Sequence, residues 1–162
     1  MKPETSYEVS GSTGELSISQ PNVRYKLGES GPYAWNIRLA KGVPMELNVQ
    51  MGAGSSDLDL SEIDVRDLTM RLGAGETKLD LTGPRAEDVN GDIQAGVGQL
   101  TILLPKDVGV KVTGRKSGVG TFEADGFKVM GEAYVNDAYG TSPVTIDLNV
   151  MRGVGEVKLE LQ

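Results

Sequence analysis

Apolar and polar residues alternate through two long stretches of the chain that have nearly the same sequence. LNVQMGAGSSDLDL (47–60) returns as LTMRLGAGETKLDL (68–81). Alternation with a period of two residues predicts β-strands that bury one face. Before each glycine pair the inward phase includes Leu47 and Leu68, and it continues to Ala53 and Ala74.

The inward phase shifts by one residue after each glycine pair, where it moves to Leu58 and Leu79. A one-residue slip would turn every following side chain to the wrong face unless the backbone bends or bulges. Glycine reaches the positive φ angles that such a bend requires. We therefore interpret Gly-x-Gly as a structural corner between two strands.

Three weaker copies of the corner follow, and the first glycines are spaced by 21, 23, 22 and 35 residues. A period near 22 residues with one insertion indicates a repeat architecture, in which stacked units bury a continuous core. The sequence predicts an all-β, single-domain β-solenoid built from strand–Gly-x-Gly–strand repeats. The predicted corners are Gly52, Gly54, Gly73, Gly75, Gly96, Gly98, Gly118, Gly120, Gly153 and Gly155.

The first part of the chain, residues 1–45, shows this pattern less clearly and is predicted to form irregular strands or a cap. Short alternating runs predict strands at 7–18, 23–27 and 35–39, with Trp35 in phase for core or end-cap packing. Residues 46–162 form the repeats, and together the two parts are expected to form one domain.

Composition excludes several classes of function. Cysteine and histidine are absent, which removes disulfides, thiolate metal sites and the commonest general base. A net charge of −7 disfavours a nucleic-acid partner. No apolar stretch is long enough to span a bilayer, and the start MKPETS is not a signal peptide. We expect the chain as given to be soluble, and an N-terminal anchor could have been removed.

The motifs that could indicate a cofactor, a metal site or a catalytic serine are incomplete in this sequence. Gly-Ala-Gly lacks the third glycine of a dinucleotide fingerprint. Asp57 and Asp59 point to solvent in the alternation, which favours a solvated acidic strand over a calcium site. Ser55 and Ser56 have no histidine to activate them. We therefore expect no cofactor, no metal and no catalytic residue.

The extra residues of the long spacing, at about 127–143, are the candidate site of specificity. Tyrosine is enriched at interfaces, and Tyr134, Asn136, Asp137 and Tyr139 lie together here. These four residues are the predicted partner-binding set. The alternative is that the tyrosines cover the gap left by the small residues Ala124 and Gly126.

The passages AWNIRLAKGVPMELNVQMGAGSSDLDL, GDIQAGVGQLTILLP and SPVTIDLNVMRGVGEVKLEL carry a resemblance over about residues 34–161. They resemble the toast-rack β-solenoid domains of bacterial envelope proteins, and are similar to the C-terminal domain of LiaF-like cell-wall-active antibiotic response proteins. The resemblance implies an extracytoplasmic domain behind a lipid or membrane anchor, a link to envelope stress, and no known catalytic residues.

Two functions follow from these observations. The first is a non-enzymatic interaction or sensory module that contacts a protein or a cell-wall component. The second is a self-associating structural solenoid, similar to bactofilins or adhesin scaffolds, because solenoid ends expose strand edges.

Overall fold

The computed structural model describes residues 3–20, 34–116 and 118–162, without the side chains of Arg115 and Lys116. The strand expected at 23–27 lies outside the described residues. All the regular structure in the described part is β-strand. The chain divides into two compact units, Met1–Arg38 and Leu39–Gln162. The predicted division at residue 45 and the expectation of one domain both stay predictions.

The first unit contains an antiparallel hairpin of strands β1 (Glu4–Ser10) and β2 (Thr13–Ser19). The strand expected at 35–39 is not formed, because residues 34–40 have no regular structure. Trp35 is 37% exposed and does not belong to the hydrophobic core. Core packing of Trp35 was therefore wrong, and end-cap packing stays a prediction, whereas Leu39 packs against the core of the second unit.

The second unit is a mixed sheet in which the long strands run parallel. Its strands are β3 (Met45–Asp59), β4 (Val65–Asp80), β5 (Val89–Leu104), β6 (Gly109–Lys116), β7 (Gly120–Ala124), β8 (Lys128–Met130), β9 (Ala133–Val135) and β10 (Thr145–Leu161). The strand order is β3-β4-β5-β10-β6-β9-β8, and β7 pairs with β10 beyond the end of β6.

Equivalent positions of the repeats pair in register across the sheet. Gly54 pairs with Gly75, Gly75 with Gly98, Gly98 with Gly155, and Gly155 with Gly120. The last repeat, in β10, therefore lies between the third and the fourth. The order of the strands in the sheet thus departs from their order in the chain at β10.

The core lies between the two halves of the long strands, before and after the glycines. Leu68 and Met70 point inward from the first half of β4, Leu79 from the second, and Leu81 from the position directly after the strand, all at 0–1% exposure. Burial alternates along each half, and the phase changes at the glycines. The inward phase ends before the glycine pair, however, so Ala53 and Ala74 are exposed and were wrongly expected to point inward.

Candidate interaction surface

The insertion adds a small hairpin to the sheet. Strands β8 and β9 pair antiparallel, and β9 pairs antiparallel with β6. On β9, Tyr134 stacks on Phe122 of β7, with ring centroids 4.9 Å apart and planes at 14°. Both rings are half-buried and pack against the core. This contact gives Tyr134 a packing role, in line with the alternative that it covers a gap in the fourth repeat.

Asn136 is 3% exposed, and its side chain holds the turn between β5 and β6. Its Oδ1 accepts a hydrogen bond from the N–H of Val110 at 2.9 Å. Its Nδ2 donates to the carbonyls of Val108 at 2.8 Å and Pro105 at 3.2 Å. These bonds give Asn136 a structural role, and its predicted role in partner binding stays a prediction.

The other two predicted site residues lie nearer to solvent. Asp137 is exposed and forms an ion pair with Lys128 of β8, with 2.7 Å between Oδ1 and Nζ. Tyr139 is half-buried, and its N–H donates to the carbonyl of Asn136 at 3.3 Å. Of the four predicted site residues, only Asp137 has an exposed side chain.

The glycine pairs form two rows of close backbone contact. The second glycine of each pair has positive φ, from 131° at Gly98 to 150° at Gly120. A Cβ added at Gly73 or Gly75 would lie 1.8 Å from the carbonyl oxygen of the neighbouring glycine on β3. No real Cβ tolerates that distance, so the parallel strands approach here only because these positions lack side chains.

The residues between the paired glycines form an exposed apolar row, which we call the corner ridge. Register places four of its members, Ala53, Ala74, Val97 and Val154, side by side across the sheet. The fifth member, Val119, lies directly before β7, and its carbonyl accepts a hydrogen bond from the N–H of Gly155 at 3.0 Å. Val97, Val154 and Val119 are 57%, 51% and 80% exposed. The pattern in the sequence missed this surface because strict alternation assigned the alanines to the core. Their place between two glycines was the signal that could have shown it.

Arg152 occupies the last inward position before the glycines of β10, where Ala95 stands in β5. It is only 3% exposed and lines a cavity of about 20 Å³ beneath the glycine rows. A cavity of that size has room for about one water molecule. The sequence pattern did not single out Arg152, because it lies immediately before a glycine pair that was interpreted only as a corner.

The aspartates that end β3 and β4 accept hydrogen bonds from the turn that follows each strand. Asp59 Oδ1 accepts hydrogen bonds from the N–H and the hydroxyl of Ser61, at 3.0 and 2.6 Å. These two bonds are the main reason why the pKa of Asp59 lies below its ordinary value. Asp80 and Thr82 repeat the arrangement one strand further on, at 2.9 and 2.6 Å.

Asp57 is exposed on the same outward face. In the described ranges, no group of three or more acidic residues could hold a metal ion. Ser56 donates its hydroxyl hydrogen bond to Thr77 at 3.1 Å, so a second hydroxyl, and not a base, accepts it. This arrangement offers charge and hydrogen-bonding groups to a partner but does not activate a nucleophile.

The part of the chain that the structure describes has no helix of the length and apolarity needed to cross a membrane.

Comparisons with known proteins match this chain to one solved structure and to one family model. No curated protein matches this chain. A solved structure, that of a "putative cell adhesion protein" from Clostridium sporogenes, covers 99% of this chain and 77% of its own, with 37% sequence identity and a TM-score of 0.84. The family model for the N-terminal domain of toast_rack, DUF2154, matches residues 1–103. The matched region includes residues 1–33, which the resemblance from sequence left out. This chain belongs to the toast-rack N-terminal domain family.

Proposed function

We propose that this chain is a non-enzymatic, extracytoplasmic interaction module of a bacterial envelope protein, which contacts a protein or a cell-wall component. The corner ridge is the observation that carries the proposal. Exposed apolar rows on a protein surface commonly mark interaction sites. The kinship with a protein described as a "putative cell adhesion protein" supports the same function.

Finer assignments are part of this proposal and rest on the resemblance. They are a membrane or lipid anchor in a longer protein, a sensory link to envelope stress, and similarity to the LiaF-like C-terminal domain. The β-solenoid architecture is also part of the proposal and also rests on the resemblance. In-register pairing of equivalent glycines supports it, although β10 departs from the chain order expected of successive coils.

Self-association into a structural scaffold is the second candidate, and one observation favours it. Strand β3 is a long edge that pairs only with β4 among the described residues. In the register of this sheet, Asp57 would, however, face Glu123 of β7 if copies joined head to tail. Two β3 edges that met would bring two acidic strands together. Like charges placed directly opposite each other destabilise strand pairs, so we favour the interaction module.

The test is binding of fluorescently labelled chain to intact bacterial cells and to isolated cell walls. We expect Val97→Ser with Val154→Ser to lower the bound fraction at least about fivefold, because two exposed apolar contacts are removed. Val129→Ser is the matched control, since Val129 is 73% exposed on β8, away from the ridge. If the unaltered chain binds neither cells nor walls, the proposed interaction function is wrong. If all three proteins bind equally, the corner ridge is not the contact surface.

A further inference from the structure

The edge of the sheet at β3 is long, and the only charged side chains that it carries are acidic. It has 15 residues, contains no proline, lysine or arginine, and pairs on one side only, with β4, within the described residues. Its register irregularity is confined to the first two residues, Met45 and Glu46. Natural edge strands are usually short, or carry proline, lysine or bulges that prevent another strand from pairing. Strand β3 therefore presents a regular edge to which a further strand can be added.

The inward side chains of β3 are less buried than those of the neighbouring strand β4. Leu47 and Leu58 of β3 are only half-buried, although they pack against the core. Their register partners on β4, Leu68 and Leu79, are 1% and 0% exposed because β5 covers their other side. A strand added beyond β3 with apolar residues at the inward positions would bury Leu47 and Leu58 in the same way.

The backbone groups that an added strand would use can be assigned. The N–H of Leu60 donates to the carbonyl of Asp80 at 3.0 Å, so this N–H points towards β4, the direction in which the N–H of Leu58 also points. Successive residues of an extended strand direct these groups to opposite sides. The N–H and C=O of Asp57 and Asp59 therefore point to the open side.

The charges of this edge define the partner. The three ionisable side chains of β3, those of Glu46, Asp57 and Asp59, are all acidic. Within the sheet, the register partner of Asp57 on β4 is Lys78. Further along the same sheet, Lys111 of β6 donates to Asp147 of β10 at 2.7 Å. Asp57 and Asp147 are thus each matched by a lysine on a neighbouring strand, whereas Glu46 and Asp59 lie opposite Asp67 and Asp80 and have no basic register partner on β4.

Strand β6 also shows the sequence pattern that such a neighbour needs. In Val110-Lys111-Val112 the valines are fully buried while the lysine lies on the outward face. We propose that the open edge of β3 binds an extended segment of a partner protein in which apolar and basic residues alternate, and adds it to the sheet as a new strand. This inference rests on the proposed function and names the partner class for it.

The probe is a labelled eight-residue peptide of alternating valine and lysine, titrated against the full chain by fluorescence anisotropy. We expect Asp57→Asn with Asp59→Asn to weaken binding at least about tenfold, because two attractive charges are lost. The asparagine introduced in place of Asp59 keeps an Oδ1 acceptor for Ser61, so the turn is retained. Asp107→Asn with Asp125→Asn is the control, since it makes the same change in net charge at two exposed positions outside β3.

Hydrogen exchange locates the bound peptide. Exchange at the N–H groups of Asp57 and Asp59 should slow on binding, while that of Leu58, which faces β4, should not change. Binding without this protection would show ionic adsorption only and would overturn the proposal. A peptide with glutamate in place of lysine is expected not to bind, and equal binding by it also overturns the proposal.

The other possible occupants give different results. Protection of Asp57 and Asp59 without peptide, at every protein concentration, would show that another part of the same chain fills the edge. Protection that grows with protein concentration would show a second copy there. Either result overturns the proposal. If the peptide fails while the chain still binds cells through the corner ridge, the edge assignment is wrong and the proposed function stands.

Discussion

Asn136 joins the segment after β9 to the start of β6, because its Oδ1 accepts the hydrogen bond of the Val110 N–H at 2.9 Å. Replacing Asn136 with alanine leaves this N–H and the carbonyl of Val108 buried without their partner. Each such group costs about 1–3 kcal/mol, so we expect Asn136→Ala to lower the free energy of unfolding by about 2–4 kcal/mol. Urea denaturation measures it.

The neighbouring Asp137→Ala is the control for that experiment. It removes only an exposed ion pair with Lys128 and should change stability by less than about 1 kcal/mol. Equal effects of the two substitutions would show that Asn136 does not hold the turn.

The glycine rows provide a matched pair of substitutions. A Cβ at Gly73 would lie 1.8 Å from the carbonyl oxygen of Gly52, whereas a Cβ at Gly52 meets nothing within 4 Å. Neither residue has positive φ, so the comparison isolates the close approach of the strands. We expect Gly73→Ala to cost more than about 2 kcal/mol and Gly52→Ala to be nearly neutral. Thermal unfolding of both variants measures this, and equal melting temperatures would show that β4 does not approach β3 closely at Gly73.

The stacked pair of Tyr134 and Phe122 predicts a stability effect in the insertion. Tyr134→Ser removes the ring contact and part of the apolar cover, so we expect a loss of about 1–3 kcal/mol. Tyr139→Ser is the comparison, because Tyr139 has no ring partner among the aromatic pairs of the described residues. A Tyr134→Ser variant that unfolds at the original temperature but binds cells less well would restore the predicted binding role.

The hydrogen bonds from Ser61 to Asp59 predict a dependence on acid. They lower the pKa of Asp59 in the folded state below its ordinary value of 3.8. Their stabilisation is therefore fully present above that pH and is lost as the pH falls through the lowered pKa. We expect Ser61→Ala to unfold at a lower temperature than the original chain at about pH 6, and the difference to shrink below pH 3.8.

The exposed Ser55→Ala is the control for the acid series. It should follow the original chain at each pH, because the structure gives Asp59 its bonds from Ser61 alone in this turn. A difference for Ser61→Ala that stays constant down to about pH 2.5 would mean that the bonds do not depend on the charge of Asp59.

The repeat in the sequence predicted much of the pairing but not the order of the strands. Alternation around Leu68 and Leu79 gave the buried face, and the matched glycines gave the register. Any two copies of the repeat can pair in parallel with the same register, so the pattern does not distinguish neighbours in space from neighbours in the chain. The insertion of β10 between β5 and β6 therefore could not be derived from it.

The packing contacts of the predicted site residues were harder to derive from the sequence than the fold. Composition marked Tyr134 and Asn136 as contact residues, but a tyrosine or an asparagine in a segment near a poorly filled core also serves packing and turn formation. Their actual partners, Phe122 and Val110, lie 12 and 26 residues away in sequence, and local pattern carries no information on such contacts. The corner ridge was missed for a different reason, since the phase of alternation was carried too far into the glycine pair.

The place of β10 also determines when the sheet can be completed during protein synthesis. Strands β6 and β7 leave the ribosome before β10, yet each of them pairs with β10 on the side that faces β5. The first three repeats can pair as they emerge, because β3, β4 and β5 are neighbours in both sequence and space. The edges of β6 and β7 that face β5 stay unpaired until β10 has been made. A chain that stops before Thr145 would leave these strand edges exposed, and unpaired edges of this kind promote aggregation.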